Sequence, residues 1–407
     1  MFDAASNAVW SIAYGVTAMF CFSMGFSWAA RGALLSEARS TPPSNMIDIA
    51  VLVMCIVNMI YFLPLLRLTI DYYGFSGLTD VFYDLGSNYQ NKDKLIEDLS
   101  YVALGPMYTL INLAAFTQVA PYALLLLHWD KLRTATLIAA ALSLIMIAFF
   151  YVSIGTMSGV FHMMTLLAGG WLVRQFLFSL DNIKTAQTAY LKRKRIIFTI
   201  GLAGIFFFVF MVIVLSSRMD HNIVVTQPFL YNYDSLIYSF LGPRLGDGFG
   251  MALSYVSQGW YGLSHSLSID FQWTEFQSFS RVITSYVNRF AGDQSGFLPL
   301  SYPLRQEPLT GYPAYAHWHT IFPWFASDFT FAGTLLITGC FGAAYGWSWV
   351  KAIHEGCLIA TTLFAQLTIG ALFINANSQI LDNKTLTLSL VGLLVLLPFR
   401  RRIGRIY

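Results

Sequence analysis

The chain has 407 residues, of which 56% are hydrophobic and only 11% are charged, and its formal net charge is +3. Soluble domains carry about 25% charged residues, so the composition excludes a wholly soluble globular protein and requires lipid as the solvent for part of the chain. No P-loop, dinucleotide fingerprint or zinc-protease motif occurs, which argues against a nucleotide-driven pump. The small net charge gives no sign of a nucleic-acid partner.

Nine apolar stretches are long enough to cross a bilayer, which takes about 20 helical residues. The N-terminus has no basic segment before the first stretch, so that stretch is expected to be a retained span rather than a signal peptide. The sequence therefore predicts an all-α, polytopic membrane protein with about nine to eleven transmembrane helices and one large outer loop. The stretches are 8–30, 46–66, 101–127, 134–153, 157–178, 197–216, 328–350, 355–375 and 385–399.

Basic residues in the short connecting segments predict the orientation of the chain. The cluster at 191–195 and the tail at 400–405 carry most of them, and an alternating assignment places both on the same side. Cytoplasmic loops are enriched in Lys and Arg, so this side and the C-terminus are expected to be cytoplasmic. Nine spans then place the N-terminus and the segments 67–100 and 217–326 on the outer side.

The large outer loop, residues 217–326, is predicted to be folded and to carry the chemistry, because disordered linkers lack its content of Tyr, Trp and Phe. Its stretch 249–267 is amphipathic, and we expect an interfacial or re-entrant helix there, since its polar residues would be costly facing lipid. The chain is thus divided into N-terminal spans (1–216), the loop, and C-terminal spans with a basic tail (327–407).

The arginines of this loop are candidate phosphate ligands. Arginine presents a planar fork of N–H donors and keeps its charge, which together with neighbouring aromatic rings suits a lipid-linked diphosphate whose head carries sugars. Surface salt bridges with the loop carboxylates are the alternative role, and the sequence leaves it open. The loop arginines are Arg218, Arg244, Arg281, Arg289 and Arg305.

The segment 311–329 holds the densest cluster of other candidates, namely His317, His319 and Asp328. A histidine here could act as general base on a sugar hydroxyl, since its pKa lies near working pH. Asp328 is expected near the N-terminus of the seventh span, where the helix dipole favours a carboxylate. A satisfied interfacial histidine and a simple helix-end charge are the alternatives. An H-x-H pair without a spaced third ligand is a weak metal signal, and we expect neither metal nor cofactor.

Parts of the outer segments resemble the Wzy-type oligosaccharide repeat-unit polymerases, the O-antigen and capsule polymerases of the bacterial cytoplasmic membrane. The segment GFSGLTDVFYDLGSN at 74–88 is similar to their first outer loop, and Arg281 with Gly292 satisfies their Arg-(any ten)-Gly pattern. The resembling segments of the large loop are YVSQGWYGLSHSL at 255–267, WTEFQSFSRVITSYVNRF at 273–290 and HWHTIFPWFASDFTFAGTLL at 317–336.

This resemblance implies a helical membrane glycosyltransferase fold of the GT-C kind. It implies transfer of a growing glycan from undecaprenyl diphosphate to one lipid-linked repeat unit, without nucleotide sugar and without metal. The lipid bilayer, the undecaprenyl-diphosphate-linked oligosaccharide, a chain-length regulator and a flippase would be the partners.

The resemblance also assigns roles to the candidate residues. Arg281 and Arg289 would bind the diphosphate, whose charge grows in the transition state and is stabilised there by fixed donors. His319 or His317 would deprotonate the acceptor hydroxyl. The further candidates for binding the substrate are Arg244, Arg305 and Asp328.

Three other functions are weighed against this one. An O-antigen ligase would share the topology and the diphosphate-binding loop, and the sequence barely separates it from a polymerase. A transporter or flippase of lipid-linked sugars predicts two related halves and charges at the bilayer midplane, whereas the stretches 134–153 and 197–216 carry no charge. An inactive assembly subunit would not need a loop rich in Arg, His and aromatic residues.

Overall fold

The regular secondary structure in the part of the chain that the computed structural model describes is all helical, which confirms the all-α prediction. The structure describes residues 4–33, 44–77, 112, 114–182, 186–219, 234–292, 295–314 and 319–399. The α-helices are α1 (Ala4–Ala33), α2 (Ser44–Gly77), α3 (Phe116–His128), α4 (Thr134–Ser153), α5 (Ser158–Asn182), α6 (Ala186–Met219), α7 (Leu236–Ser266), α8 (Arg281–Ala291), α9 (Tyr302–Thr310), α10 (Ile321–Glu355), α11 (Leu358–Phe373), α12 (Gln379–Asp382) and α13 (Lys384–Leu396).

Within the described ranges, four helical segments are long and apolar enough to cross a bilayer, and the protein is therefore a membrane protein. These segments are Asn7–Arg31, Asn45–Gly74, Thr134–Ser153 and Ile321–Glu355. The predicted stretches 157–178, 197–216, 355–375 and 385–399 contain α5, α6, α11 and α13, and the described part of 101–127 contains α3. Most of the segment 67–100 and the basic tail 400–407 lie outside the described residues.

Helix α3 lies at the centre of the bundle, and nearly all of its side chains are buried. It packs against α2, α4, α5, α11 and α13. Two polar contacts connect α2, α3 and α4. The Asn58 side-chain amide donates to the Tyr122 hydroxyl at 3.0 Å, and that hydroxyl lies 2.6 Å from the Ser143 hydroxyl. Hydrogen bonds between helices contribute to association in lipid, where no hydrophobic force acts between them.

Helices α1 and α10 pack with their backbones in direct contact. A Cβ atom at Gly25 would lie 1.9 Å from the carbonyl oxygen of Gly339, and one at Gly342 would lie 2.1 Å from that of Phe22. Small residues allow this approach, on which van der Waals packing in lipid depends. The predicted N-terminal and C-terminal groups of spans therefore share one bundle, since α3 also contacts α13 and α5 contacts α11.

Helix α10 contains a break at Thr330, whose φ of 63° and ψ of 164° lie outside the helical region. A β-branched residue rarely adopts such angles. The Thr330 hydroxyl accepts from the Gly333 N–H at 3.2 Å and so caps the long helix that follows. The seventh predicted span began at residue 328. The structure instead has a short buried helix from residue 321, then the break, and then the long apolar helix.

Helix α7 covers the amphipathic stretch 249–267 and begins earlier, with a break at Gly242 before Pro243. It packs against α6 and α1. Its polar side chains are buried against protein, as the cost of exposing them to lipid requires. These side chains are Ser254, Gln258, Ser264 and His265.

The contact between α1 and α10 predicts a glycine-specific loss of stability. The Gly342→Ala variant should unfold at a lower temperature than wild type in detergent, because the new Cβ atom overlaps the Phe22 carbonyl oxygen and overpacking costs roughly 1–3 kcal/mol. Gly204→Ala on α6 is the matched control, since a Cβ atom there meets no heavy atom within 4 Å. Equal melting temperatures for the two variants would contradict the close packing.

Candidate functional site

The described part of the loop 217–326 is attached to the C-terminal helices at a junction that we define as residues 274–281, 327–328 and 381–382. The Thr274 N–H donates to the Ser327 carbonyl oxygen at 3.2 Å. The Ser280 hydroxyl donates to the Leu381 carbonyl oxygen at 2.6 Å. These bonds link segments about 50 and 100 positions apart along the chain, so the junction is a product of the tertiary fold.

Asp328 organises the junction through its carboxylate, which is almost fully buried. One oxygen accepts from the Ser278 and Phe279 N–H groups at 3.0 and 2.8 Å, and the other accepts from the Thr274 hydroxyl. A carboxylate held by successive N–H groups of a turn is a stable arrangement for a buried charge. The carboxylate therefore fixes the conformation of the loop that precedes α8.

This geometry differs from the helix-end position expected for Asp328. The residue lies in the last turn of the short helix, before the break at Thr330, so the dipole of that helix does not favour its charge. The turn that it holds includes Glu275 and Phe276, with φ of 51° and 63°, which are costly angles for residues other than glycine. The Asp328 carboxylate therefore bonds to the loop backbone and offers little surface to a substrate.

Arg281 is the first residue of α8, and Ser280 caps that helix by accepting from the Ile283 N–H at 3.2 Å. The Arg281 backbone N–H donates to one Asp382 oxygen at 3.1 Å, and its guanidinium donates to the other at 3.3 Å. The Arg281 side chain is 48% exposed. A guanidinium has five N–H donors, so this pairing orients it while leaving much of the group accessible.

The Arg-(any ten)-Gly pattern corresponds to the whole of α8. Arg281 begins the helix, and Gly292 ends it with φ of 89°, an angle that only glycine adopts without cost. Arg289 lies in this helix, but its side chain is outside what the structure describes. The pattern thus sets both ends of one amphipathic helix at the junction.

Arg305 and Arg244 lie elsewhere in the loop and make different contacts. The Arg305 Nε–H donates to the Leu300 carbonyl oxygen at 2.8 Å, and a terminal N–H of the same guanidinium donates to the Asp270 carbonyl oxygen. The Arg305 Cζ atom lies 5.3 Å from the centre of the Tyr302 ring. These contacts fold the loop on itself. Arg244 is exposed just after the break in α7, and its carbonyl oxygen accepts from a hydroxyl of α6.

His319 lies in a buried polar network and is 1% exposed. The Gln306 amide donates to its Nδ1 at 3.2 Å, and the Ser266 hydroxyl donates to the Gln306 oxygen at 2.9 Å. The rings of Tyr312 and Trp324 enclose the imidazole, with centroids 5.0 and 6.1 Å away. These contacts hold the Gln306 side chain and the His319 ring in fixed positions in the core.

A general base must come within hydrogen-bonding distance of the proton that it takes. His319 offers almost no surface to a sugar hydroxyl in this conformation, so its role as base stays a prediction. His317 lies outside the described residues. Among the residues that are described, His, Cys, Asp and Glu side chains form no group of three that could hold a metal ion.

Two apolar crevices adjoin the junction. The first, which we call the α8 crevice, has a volume of about 480 Å³ and lies between α8 and α13. The second, the α10 crevice, has a volume of about 310 Å³ and lies between α10, α11, α12 and α13. Such volumes are within the range of ligand pockets. Val282 and Ile283 line the first crevice and Leu381 lines the second, so residues adjacent to the Arg281–Asp382 pair border both.

Sequence reasoning missed three residues of these arrangements: Asp382, Gln306 and Ser266. Asp382 lies in a short segment before α13, and its pairing with Arg281 joins positions 101 residues apart. Gln306 and Ser266 are ordinary polar residues whose burial depends on the packing of α9 against α7. No local pattern in the sequence signals contacts of this kind.

The buried carboxylate predicts a graded response to substitution. Asp328→Ala should open the junction, because buried donors left without an acceptor cost about 1–3 kcal/mol each. Asp328→Asn retains one carbonyl oxygen and should lose less. Limited proteolysis of the detergent-purified protein between residues 270 and 280 should be fastest for alanine, intermediate for asparagine and slowest for wild type. Equal cleavage rates would show that the carboxylate does not hold the loop.

The burial of His265, which lies outside the candidate spans, predicts that the stability of the protein depends on pH. Burial lowers the pKa of His265 in the folded protein, whereas the unfolded chain titrates near about 6.5. The unfolded state therefore binds more protons below about pH 6.5, and stability falls as pH falls toward the folded pKa. His265→Gln should make the melting temperature fall less steeply as pH drops below about 6.5, while the control His354→Gln should follow wild type. Parallel profiles for wild type and His265→Gln would contradict this assignment.

Comparison with known proteins gives no match to a family model, to a curated protein or to a solved structure. Function must therefore be inferred from the residues themselves. The features available for this are the membrane bundle, the junction with Arg281 at its surface, the buried histidine network and the two apolar crevices.

Proposed function

We propose that this protein is a membrane glycosyltransferase that polymerises undecaprenyl-diphosphate-linked oligosaccharide repeat units at the outer face of the bacterial cytoplasmic membrane. The observation that carries the proposal is the position of Arg281, half-exposed at the junction with an apolar crevice on either side of the Arg281–Asp382 pair. A lipid diphosphate needs this division between a cationic group and an apolar surface. The resemblance of the loop to Wzy-type polymerases supplies the class of reaction.

The proposal includes an architecture and an orientation. The bundle would be GT-C-like, with nine to eleven spans, a cytoplasmic C-terminus and the large loop on the outer side. The excess of Lys and Arg at 191–195 and 400–405 supports this orientation. The substrate would be a lipid-linked oligosaccharide, with a flippase and a chain-length regulator as further partners.

In the proposed reaction, the acceptor hydroxyl oxygen bonds to the anomeric carbon of the growing glycan while the bond from that carbon to the diphosphate oxygen breaks. The diphosphate leaves with the electron pair, and the hydroxyl proton passes to a base. Negative charge on the diphosphate increases during this step, so a fixed guanidinium stabilises the transition state more than the ground state. Arg281 is the proposed group, and Asp382 orients it.

The pairing of Arg281 with Asp382 contributes little to stability by itself. Half-exposed ion pairs are worth about 0–1 kcal/mol because water screens them. Replacement of Arg281 therefore tests substrate binding and catalysis more than folding. Arg289, in the same helix, is the second proposed diphosphate ligand, with Arg244 as a further candidate. Arg305 has its guanidinium engaged with loop carbonyls and is proposed to support the loop.

The proposed base is a histidine of the segment 317–319. The Gln306 amide donates to the His319 Nδ1 atom, so His319 would have to exchange this bond for the proton of the acceptor hydroxyl. His317 is the other candidate. A base in this segment would serve the acceptor hydroxyl, while Arg281 serves the leaving diphosphate.

Substitution at Arg281 tests the proposal. In a deletion strain complemented in trans, Arg281→Ala should abolish the ladder of surface polysaccharide on a gel, because the leaving diphosphate loses its cation. Arg281→Lys should retain a weak ladder, since it keeps the charge without the planar fork. Arg67→Ala is the matched control, because Arg67 also forms an exposed ion pair, with Asp71 of its own helix at 3.7 Å.

The deletion strain itself distinguishes the function classes. A polymerase predicts that single-repeat glycan persists when the ladder is lost. Complete absence of surface glycan, including single repeats, would instead indicate export or ligation and would overturn the proposal. A normal ladder with Arg281→Ala at wild-type membrane levels would remove Arg281 from the mechanism.

A further inference from the structure

The short segment 379–383, which contains α12 and the residue before α13, is bonded to the loop 217–326. The Ser280 hydroxyl donates to the Leu381 carbonyl oxygen at 2.6 Å, and the backbone and guanidinium of Arg281 both donate to the Asp382 carboxylate. Backbone bonds keep the segment together, since the residue 383 N–H donates to the residue 379 carbonyl oxygen at 3.1 Å. The position of the Asp382 carboxylate therefore depends on how both ends of this single turn are held.

Two side chains of the bundle contact the two ends of the same segment. The imidazole of His162, near the start of α5, lies within hydrogen-bonding reach of the Gln379 side chain. The hydroxyl of Tyr151, near the end of α4, lies within reach of the Asn383 side chain. Gly159 makes room for this arrangement, because a Cβ atom there would lie 2.0 Å from the Tyr151 ring. The bundle and the loop thus hold the same short turn.

His162 is buried and ionisable, and the proposed reaction makes no use of it. The residue is 5% exposed, and its ring packs edge-on against Phe373 with the ring centroids 5.8 Å apart. Ionisable side chains within the spans of a membrane protein are rare and usually have a function. Burial of a polar group is costly unless it finds a polar partner. Gln379 supplies such a partner, so the imidazole and α12 hold each other in place.

We infer that His162 is a positioning residue, which holds α12 through Gln379 and so keeps Asp382 where it orients Arg281. The contacts run from α5 to α12 and from α12 to α8. This inference rests on the proposed function and deepens it, because it names a residue that acts on the proposed diphosphate ligand through two others. His162 lines neither crevice, and its part is to fix the place of the Asp382 carboxylate.

Exchange of the Arg281 backbone N–H with deuterium measures this coupling without any substrate, because that N–H donates to Asp382 at 3.1 Å. Mass spectrometry of overlapping peptides across residues 278–284 of the full-length protein in detergent gives the rate. His162→Leu should raise the rate about fivefold, which corresponds to the loss of one hydrogen bond. His162→Gln can still bond to Gln379 and should return the rate toward that of wild type.

Thr165→Val is the matched control and should exchange like wild type. Thr165 is also buried in α5, but its hydroxyl donates to the Phe161 carbonyl oxygen of the same helix at 2.9 Å. Gln379→Leu should act like His162→Leu, and the double variant should exchange no faster than either single variant, because both changes remove the same contact. Gln379 is half-buried, so Gln379→Leu carries the test if the melting temperature shows that His162→Leu does not fold.

Two results would overturn the inference. One is an Arg281 N–H that exchanges at the wild-type rate in the folded His162→Leu or Gln379→Leu protein. The other is a double variant in which the two effects add, since additive effects would mean that the residues act separately on the junction.

The polysaccharide ladder separates this inference from the proposed function. In the complemented deletion strain, His162→Leu should weaken the ladder and His162→Gln should restore it. Faster exchange at Arg281, together with a deletion strain that still forms the ladder, would keep the positioning role and remove polymerisation. A ladder that requires the protein, together with unchanged exchange in the variants, would remove the role of His162 and leave the polymerase proposal standing.

Discussion

The structure of the loop segment 274–281 depends on the buried carboxylate of Asp328. Its two oxygens accept from the Ser278 and Phe279 N–H groups and from the Thr274 hydroxyl. A charge in this position would be very costly without these donors, and the same hydrogen bonds hold the turn in which Glu275 and Phe276 have positive φ angles. The turn leads directly into α8. The placement of Arg281, and with it the proposed chemistry, follows from this one interaction.

The break at Thr330 makes that interaction possible. It separates a short buried helix, which carries Asp328 and Trp324, from the long apolar helix that continues into the bundle. An unbroken helix would place residues 321–329 in line with the span. Because of the break, the short helix packs against the loop. Trp324 contacts His319 there, and Asp328 bonds to the turn at residues 274–279. The polar loop and the apolar bundle are joined by this local departure from helical geometry.

The junction and the His319 network contrast in exposure. Arg281 is half-exposed and paired with one carboxylate, whereas His319 is enclosed and bonded to Gln306. An exposed cation can exchange its partner for a phosphate at little cost, because its ion pair is weak. A buried network resists such exchange, because breaking it leaves polar groups unsatisfied. We therefore propose that a ligand binds at the junction and that the network keeps its part of the loop rigid.

The sequence by itself determined that this is an all-α membrane protein and that Arg281 begins the pattern ended by Gly292, because apolar run length and glycine spacing are local properties. The positions of most helices followed from the same runs. Tertiary structure alone decided that Asp382 pairs with Arg281, that Asp328 holds the loop and that His319 is enclosed. Those contacts join residues distant in the chain, and a side chain's role depends on which donors and acceptors the fold brings to it.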